Sequence, residues 1–426
     1  MNGSNRSFCI VLVATSLLAS LLAACDSEPV PPSPPPATKT SFVVPTDTPG
    51  AVLVTLTPET EVPARKPSPT STVAATPIFT ATATAIAALD PWKKVADLPE
   101  VEVLVDAPSS PQIVYAGFYN RMQGATDGGM ARSTDGGLSW QPLPASFKVE
   151  HIAVAPSDPN TLYAGTKLNC GDGSPGRLYR SSDGGASWRL VSGSPYSIDI
   201  NPDDPDHLVA LECAGPVRSL DGGMTWQRLP GTGVAGLGAT RLARGVSDRT
   251  TIYVVYASYV GYAGGGVSSV LQRTTDDGRT WTTLPFRDCR YPYDLVVDPL
   301  DAGRVYLPCT SGFFVSADAG ETWETQNGGL LTDAEVDFPA PYPMSQVALD
   351  RVSSPPPGAT HTLYFFHIVF EGMRSLVRWN GKDTWEHVRD TPDYRPDVCC
   401  LLMLNDPAAP ALLTATSEGI YRMSVP

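Results

Sequence analysis

Several absences narrow the reading of this 426-residue chain before any motif is considered. A basic surplus is missing: 30 Lys and Arg stand against 44 Asp and Glu, a net charge of −14 with a pI near 4.8. A nucleic-acid partner is therefore excluded, because binding a phosphate backbone needs a basic surface. There is no Walker-type loop, no dinucleotide fingerprint and no HExxH sequence, so the common nucleotide and zinc-hydrolase sites are absent. The five His do not stand with Cys at zinc-type spacing, so neither a metal nor another cofactor is expected. No apolar run is long enough to span a bilayer. The longest, Cys9 to Leu22, is too short and wrongly flanked.

What is present is one short motif in five copies. They are Ser133 to Trp140 (STDGGLSW), Ser181 to Trp188 (SSDGGASW), Ser219 to Trp226 (SLDGGMTW), Thr274 to Trp281 (TTDDGRTW) and Ser316 to Trp323 (SADAGETW). The pattern, Ser/Thr-x-Asp-x-Gly-x-Ser/Thr-Trp, is called the box below. Asp-to-Asp spacings of 48, 38, 55 and 42 make it a repeat array. The motif suits a hairpin between two outer strands. The Asp can accept backbone N–H groups across the turn, the Gly permits positive φ, and the Trp opens the next strand with a large ring to bury. Asp135, Asp183, Asp221, Asp276 and Asp318 are accordingly expected to be structural. A calcium loop fits less well, since no copy supplies alternating oxygen ligands and a terminal Glu.

These residues resemble the Asp-box, or bacterial neuraminidase repeat, of sialidase-like, photosystem-assembly-factor-like and sortilin-like β-propellers. The resemblance covers residues 91–426 and implies an all-β propeller; one such scaffold hosts unrelated functions. Between boxes a second pattern repeats, as in Ile152 to Gly165, Ile198 to Ala210 and Leu295 to Tyr306: an alternating strand, a Pro/Asp turn and another strand. Four strands per repeat make a blade. Arg378 to Trp385 is a degenerate box with Asn380 for Asp and Lys382 for Gly, and residues 397–426 hold three strands only. The missing strand is predicted at Trp92 to Leu98, whose Trp-x-x-apolar form matches the strands after the boxes. Seven Trp-started strands predict seven blades, with six if the degenerate unit is an insertion.

The domains read as 1–24, a signal peptide; 25–89, a linker; and 90–426, the propeller. Arg6, the apolar run and Leu22-Ala23-Ala24-Cys25 resemble a bacterial lipobox, which implies cleavage before Cys25 and lipidation of its thiol. An ordinary signal peptide containing Cys25 is the alternative. Residues 26–89 hold thirteen Pro and thirteen Thr among 64 residues, the composition of a disordered stalk.

In the propeller topology, inner-strand starts and second-strand ends share one rim, and the boxes lie on the other. Six Cys fall on the first rim. Cys170 with Cys213, and Cys289 with Cys309, are reasonable disulfides, although connectivity is not fixed by sequence. The adjacent Cys399 and Cys400 could bridge, stay reduced or rearrange the other pairs. The same rim carries long loops with aromatics, Arg and carboxylates. Tyr259, Tyr262, Arg290, Tyr291 and Tyr293 are the expected ligand contacts. The Arg-Ile-Pro signature of sialidases is missing, and the arginine-rich face of the photosystem assembly factors has no counterpart. The expected function is non-catalytic binding of a protein or glycan by a monomeric, lipid-anchored extracytoplasmic propeller. A glycoside hydrolase using a pair among Asp294, Asp333, Glu335 and Asp337 is the alternative.

Overall fold

Seven four-stranded antiparallel sheets succeed one another along the chain. The structure is a computed structural model. It describes residues 91–425 apart from positions 99, 196, 287, 291 and 329 and the segments 120–127, 167–175, 192–194, 213–214, 235–236, 258–268, 331–345, 352–360, 369–373, 380–383 and 393–397. Cys25, Cys170, Cys213, Tyr259, Tyr262, Tyr291, Asp333, Glu335 and Asp337 lie outside the described residues.

The inner strands are Val101–Ala107, His151–Ala155, Ser197–Asn201, Gly238–Arg244, Val296–Val297, Ala348–Leu349 and Leu401–Leu404, numbered here as blades 1 to 7. In blades 1 to 6 the chain moves outward one hairpin at a time. Blade 7 takes its outer strand from the other end of the described chain. Lys93–Ala96 pairs with Gly419–Ser424, Lys93 opposite Arg422 and Ala96 opposite Ile420. The result is a seven-bladed β-propeller whose ring is closed by the strand expected after Trp92, which removes the edges an open array would expose. The six-blade alternative is overturned, because the degenerate segment builds a full sheet ending in Trp385–Asp390.

Each blade is sandwiched between two others, so its middle strands are buried on both faces and read as unbroken apolar runs. Ile252–Ala257 is buried at every position. The box Trp fills the seam toward the preceding blade. Trp188 packs against the cluster that includes Val103, Tyr115 and Met130 of blade 1, and Trp323 against the cluster that includes Tyr253 and Leu271 of blade 4. One detail departs from the sequence reading. After the five boxes the outer strand begins one residue beyond the Trp, at Gln141, Arg189, Gln227, Thr282 and Glu324, since the indole is turned into the seam.

The two rims follow from strand direction. Box turns lie against the first hairpin turn of their own blade, as Gly136 N–H donates to Gln112 O at 2.9 Å and Gly184 N–H to Asn160 O at 2.9 Å. Both ends of the described chain emerge on this box rim. Val425 N–H donates to Pro410 O in the first turn of blade 7, and Arg422, paired with Lys93, donates from Nε to Gly136 O in box 1. The opposite rim surrounds the mouth of the channel.

Candidate ligand-binding rim

The chemistry of the box rim is spent within the rim itself. In all five boxes the first hydroxyl donates to Asp Oδ1 at 2.7–2.9 Å and accepts the N–H of the second αL residue at 2.8–3.0 Å. The later Ser or Thr donates its N–H to Oδ1 at 2.8–2.9 Å and its hydroxyl to Oδ2 at 2.5–2.6 Å. Both oxygens of every box carboxylate thus accept bonds from within the turn. Bonds from Ser187, Thr225 and Thr280 bring the carboxyls of Asp183, Asp221 and Asp276 down to about 2. Asp318 is lowered by Thr322. Burial pushes Asp135 up, but the bonds from Ser139 and Ser133 outweigh it.

A second repeated feature went unread in the sequence. An Arg immediately precedes the first hydroxyl of boxes 1 to 4: Arg132, Arg180, Arg218 and Arg273. These side chains reach forward to the next blade. Arg218 donates to Asp277 O at 3.3 Å and Arg273 to Ala319 O at 2.6 Å, while Arg180 pairs with Asp206 at 2.5 Å. Arg422 of blade 7 closes the cycle on Gly136. Blade 5 carries Val315 at this position, and the next blade has the degenerate box. The signal was legible as the dipeptide Arg-Ser/Thr ahead of the Asp.

The seam between blades 3 and 4 is charged. Arg244, with a side chain 2% exposed, pairs with Asp199 and donates to Asp277 Oδ1 at 2.9 Å, and His207 stands 3.1 Å from Asp277 Oδ2. Asp277 occupies at φ 55° the left-handed position that Gly fills in boxes 1 to 3. Burial drives the Asp199 carboxyl up against the pull of Arg244. Burial also pushes Asp277 up, but bonds from His207 and Arg244 leave it below the usual range.

The mouth rim is built differently. Cys289 and Cys309 form a buried disulfide with Cα atoms 5.5 Å apart. It fastens the connection into blade 5 onto the end of that blade's second strand. The stapled loop is tied further: Thr310 N–H donates to Arg290 O at 2.9 Å, Ser311 Oγ to Asp288 O at 2.7 Å, and Tyr293 N–H to Pro308 O at 3.0 Å. Arg290 extends from this fixed backbone as an exposed side chain, whereas Tyr293 is half-buried. Arg241, from the inner strand of blade 4, donates from Nε to Tyr293 O at 2.7 Å.

Asp294 sits beside them. Its Oδ1 accepts Leu295 N–H at 2.9 Å, and its Oδ2 accepts Val347 N–H of blade 6 at 2.9 Å. Burial lifts its carboxyl above the usual range, and the Arg241 guanidinium pulls it partly back. This carboxylate is a clamp between two blades. Tyr256, just before the stretch that holds Tyr259 and Tyr262, belongs to the core: it is 1% exposed and its hydroxyl accepts Gly233 N–H at 3.2 Å. Arg290 and Tyr293 are the two expected contacts that the described structure brings together. Among the described residues no group of three or more His, Cys, Asp or Glu is placed to hold a metal.

No protein-family model matches the chain, and no curated protein does. Among solved structures, YCF48 from Cyanidioschyzon merolae is similar at 13% identity and TM-score 0.48, over 79% of this chain and 98% of that one. A structure of YCF48 bound to D1 peptide gives 16% identity and TM-score 0.49, over 79% and 96%. An ancestral GH74 enzyme gives 15% and 0.44, over 75% of this chain and 53% of that one. At these identities and scores the similarity assigns neither activity nor ligand to this chain.

Proposed function

We propose that this chain is a lipid-anchored extracytoplasmic binding protein whose mouth rim takes a protein or glycan ligand without changing it chemically. The observation that carries the reading is the state of Asp294. It is the one described member of the expected acid set, and both its oxygens accept backbone amides from two blades. An acid or nucleophile needs its oxygens directed at substrate. The exposed Arg290 on a stapled loop supplies what recognition needs: a charged donor on a rigid base.

The placement of the chain ends supports the same reading. The first described strand, Lys93–Ala96, starts at the box rim, the side from which a stalk to Cys25 would leave. Cys25→Ala should leave the protein unprocessed or free of the membrane, read by mature mass and detergent partitioning. The site itself is tested by screening residues 90–426 on a glycan array, a peptide array and a glycoside-substrate panel. Retention of a glycan or peptide without turnover supports binding. Steady hydrolysis of any glycoside, abolished by replacing Asp294, Asp333, Glu335 or Asp337, establishes the hydrolase instead.

A further inference from the structure

The inner strands of blades 5 to 7 all end short of their second strands, and in blade 7 the two residues next to that end are bonded cysteines. In blades 1 to 4 the inner strand pairs with the second strand to within one residue of its upper end: Val101 opposite Phe118, His151 opposite Gly165, Ser197 opposite Leu211 and Gly238 opposite Ala257. In blade 5 the pairing ends at Val296 opposite Tyr306 and in blade 6 at Ala348 opposite Tyr364, although their second strands continue to Cys309 and Ile368; in blade 7 it ends at Leu401 opposite Thr414, with the second strand continuing to Thr416. The ladder's register would set Cys400 opposite Ala415 and Cys399 opposite Thr416. Instead Cys399 N–H donates to Ala415 O at 3.1 Å, one step out of register, as Glu150 N–H does to Gly165 O in blade 2 and Tyr293 N–H to Pro308 O in blade 5.

The two cysteines are bonded to each other. Adjacent side chains on a pleated strand point to opposite faces. A bond between their sulfurs holds both on one side, so these two residues cannot continue the strand. While the bond holds, the strand cannot run on through these two residues.

Its surroundings differ from those of the other disulfide. Cys289 and Cys309 are both fully buried. Cys400 is buried among Val101, Leu404, Leu413 and Ala415, but Cys399 is only partly covered. Exchange requires a thiolate to reach one sulfur in line with the bond it breaks, so access separates the two bridges.

We propose that Cys399–Cys400 is a thiol–disulfide exchange site on the mouth rim, and that its reduction by a dithiol lengthens the inner strand of blade 7. The thiolate of the dithiol attacks the Cys399 sulfur. The bond to Cys400 breaks, and Cys400 leaves with the electron pair and takes up a proton. The second thiol of the dithiol then attacks its own mixed-disulfide sulfur, releasing Cys399 as a thiol and the reductant as a disulfide. The protein gains two electrons and two protons. Freed of the bridge, Cys399 and Cys400 can alternate across the strand and pair with Thr416 and Ala415.

The test uses the native, folded chain and needs no ligand. The protein is titrated with dithiothreitol, quenched with iodoacetamide and read by peptide mass spectrometry, with amide exchange followed in parallel. Cys399 and Cys400 should become alkylated together while Cys289 and Cys309 stay bonded. Exchange at Cys400 should slow on reduction, because in register its N–H takes Ala415 O from Cys399. The double variant Cys399→Ser, Cys400→Ser should show that slow exchange without reductant. Free thiols at both positions in the untreated protein would overturn the proposal. So would opening of both bridges at the same reductant concentration, or exchange at Cys400 unchanged in both the reduced protein and the double variant.

Discussion

The box rim and the mouth rim draw on similar side chains, Asp, Arg, Ser and Tyr, and do opposite things with them. On the box rim one solution is repeated. A carboxylate is saturated by its own turn, an Arg reaches from one blade to the next, and a buried Tyr hydroxyl bonds the following blade's first turn. Tyr115 donates to Pro159 O at 3.0 Å, Tyr163 to Pro205 O at 3.0 Å and Tyr253 to Ala302 O at 2.8 Å. Among the described residues of the mouth rim, the Cys289–Cys309 disulfide, the Asp294 clamp and the vicinal bridge each occur in a single blade. A rim whose polar groups satisfy one another locally holds the ring together. A rim whose features are individual can carry specificity.

If the ring depends on periodic closure, the largest loss should come from removing its closing strand. A chain beginning at residue 101 lacks Trp92 and Lys93–Ala96. It should lose about 3–5 kcal/mol, the scale of deleting a buried Trp, and melt well below a chain beginning at residue 89. Equal melting of the two would show that blade 7 does not need that strand.

The inter-blade Arg should matter next. Arg273→Ala removes a donor from Ala319 O and from Glu321. Bonds of this charged type contribute about 1.5–3 kcal/mol. Arg290→Ala, on the mouth, should stay within about 0.5 kcal/mol of the parent. Urea unfolding of the two variants side by side compares the rims directly, and equal losses would erase the distinction.

Within a box the hydroxyl is the hub. Ser133 is 1% exposed, donates to Asp135 and accepts Gly137 N–H. Ser133→Ala should cost about 1–3 kcal/mol by stranding a buried amide. The box carboxylates also give the rim a pH signature. Their folded values lie below the ordinary 3.8, at about 2 for Asp183, Asp221 and Asp276. The stability they contribute is therefore fully present above 3.8 and is lost as pH falls toward 2. Chemical denaturation across that window should show the loss, and Asp183→Asn should flatten it.

The smallest effect should be a gain. Ala319 sits at φ 59°, where boxes 1 to 3 have Gly. Ala319→Gly should raise stability by about 0.5–1 kcal/mol, since left-handed backbone is costly for any residue with a Cβ. An unchanged melting temperature would mean that the unfolded chain's extra freedom cancels the relief.

Much of the ring could be read from the sequence because its cues are local. A box is eight residues long, its Asp, Gly and Trp each have one physical job, and the Trp92 strand matched the others by form. The Arg ahead of boxes 1 to 4 is equally local, but its role is not, because its partner lies in the next blade. The mouth was harder to read. The clamp that Asp294 makes with Val347 spans 53 residues, and no short pattern encodes it. Tyr256 shows the same limit: beside a Tyr- and Gly-rich loop it reads as loop, yet it closes an apolar strand and is buried. Cys399 and Cys400 bond each other, and adjacency alone does not separate that outcome from free thiols or other pairings.

The mouth assignment is tested most directly by one paired measurement. The parent chain, Arg290→Ala with Tyr293→Ala, and Ser133→Ala are probed on the same glycan and peptide arrays at a temperature where all three are folded. Binding by the parent and by Ser133→Ala, lost in the mouth variant, is the expected result. Binding that survives in the mouth variant, or a parent that hydrolyses the glycan it retains, would contradict it.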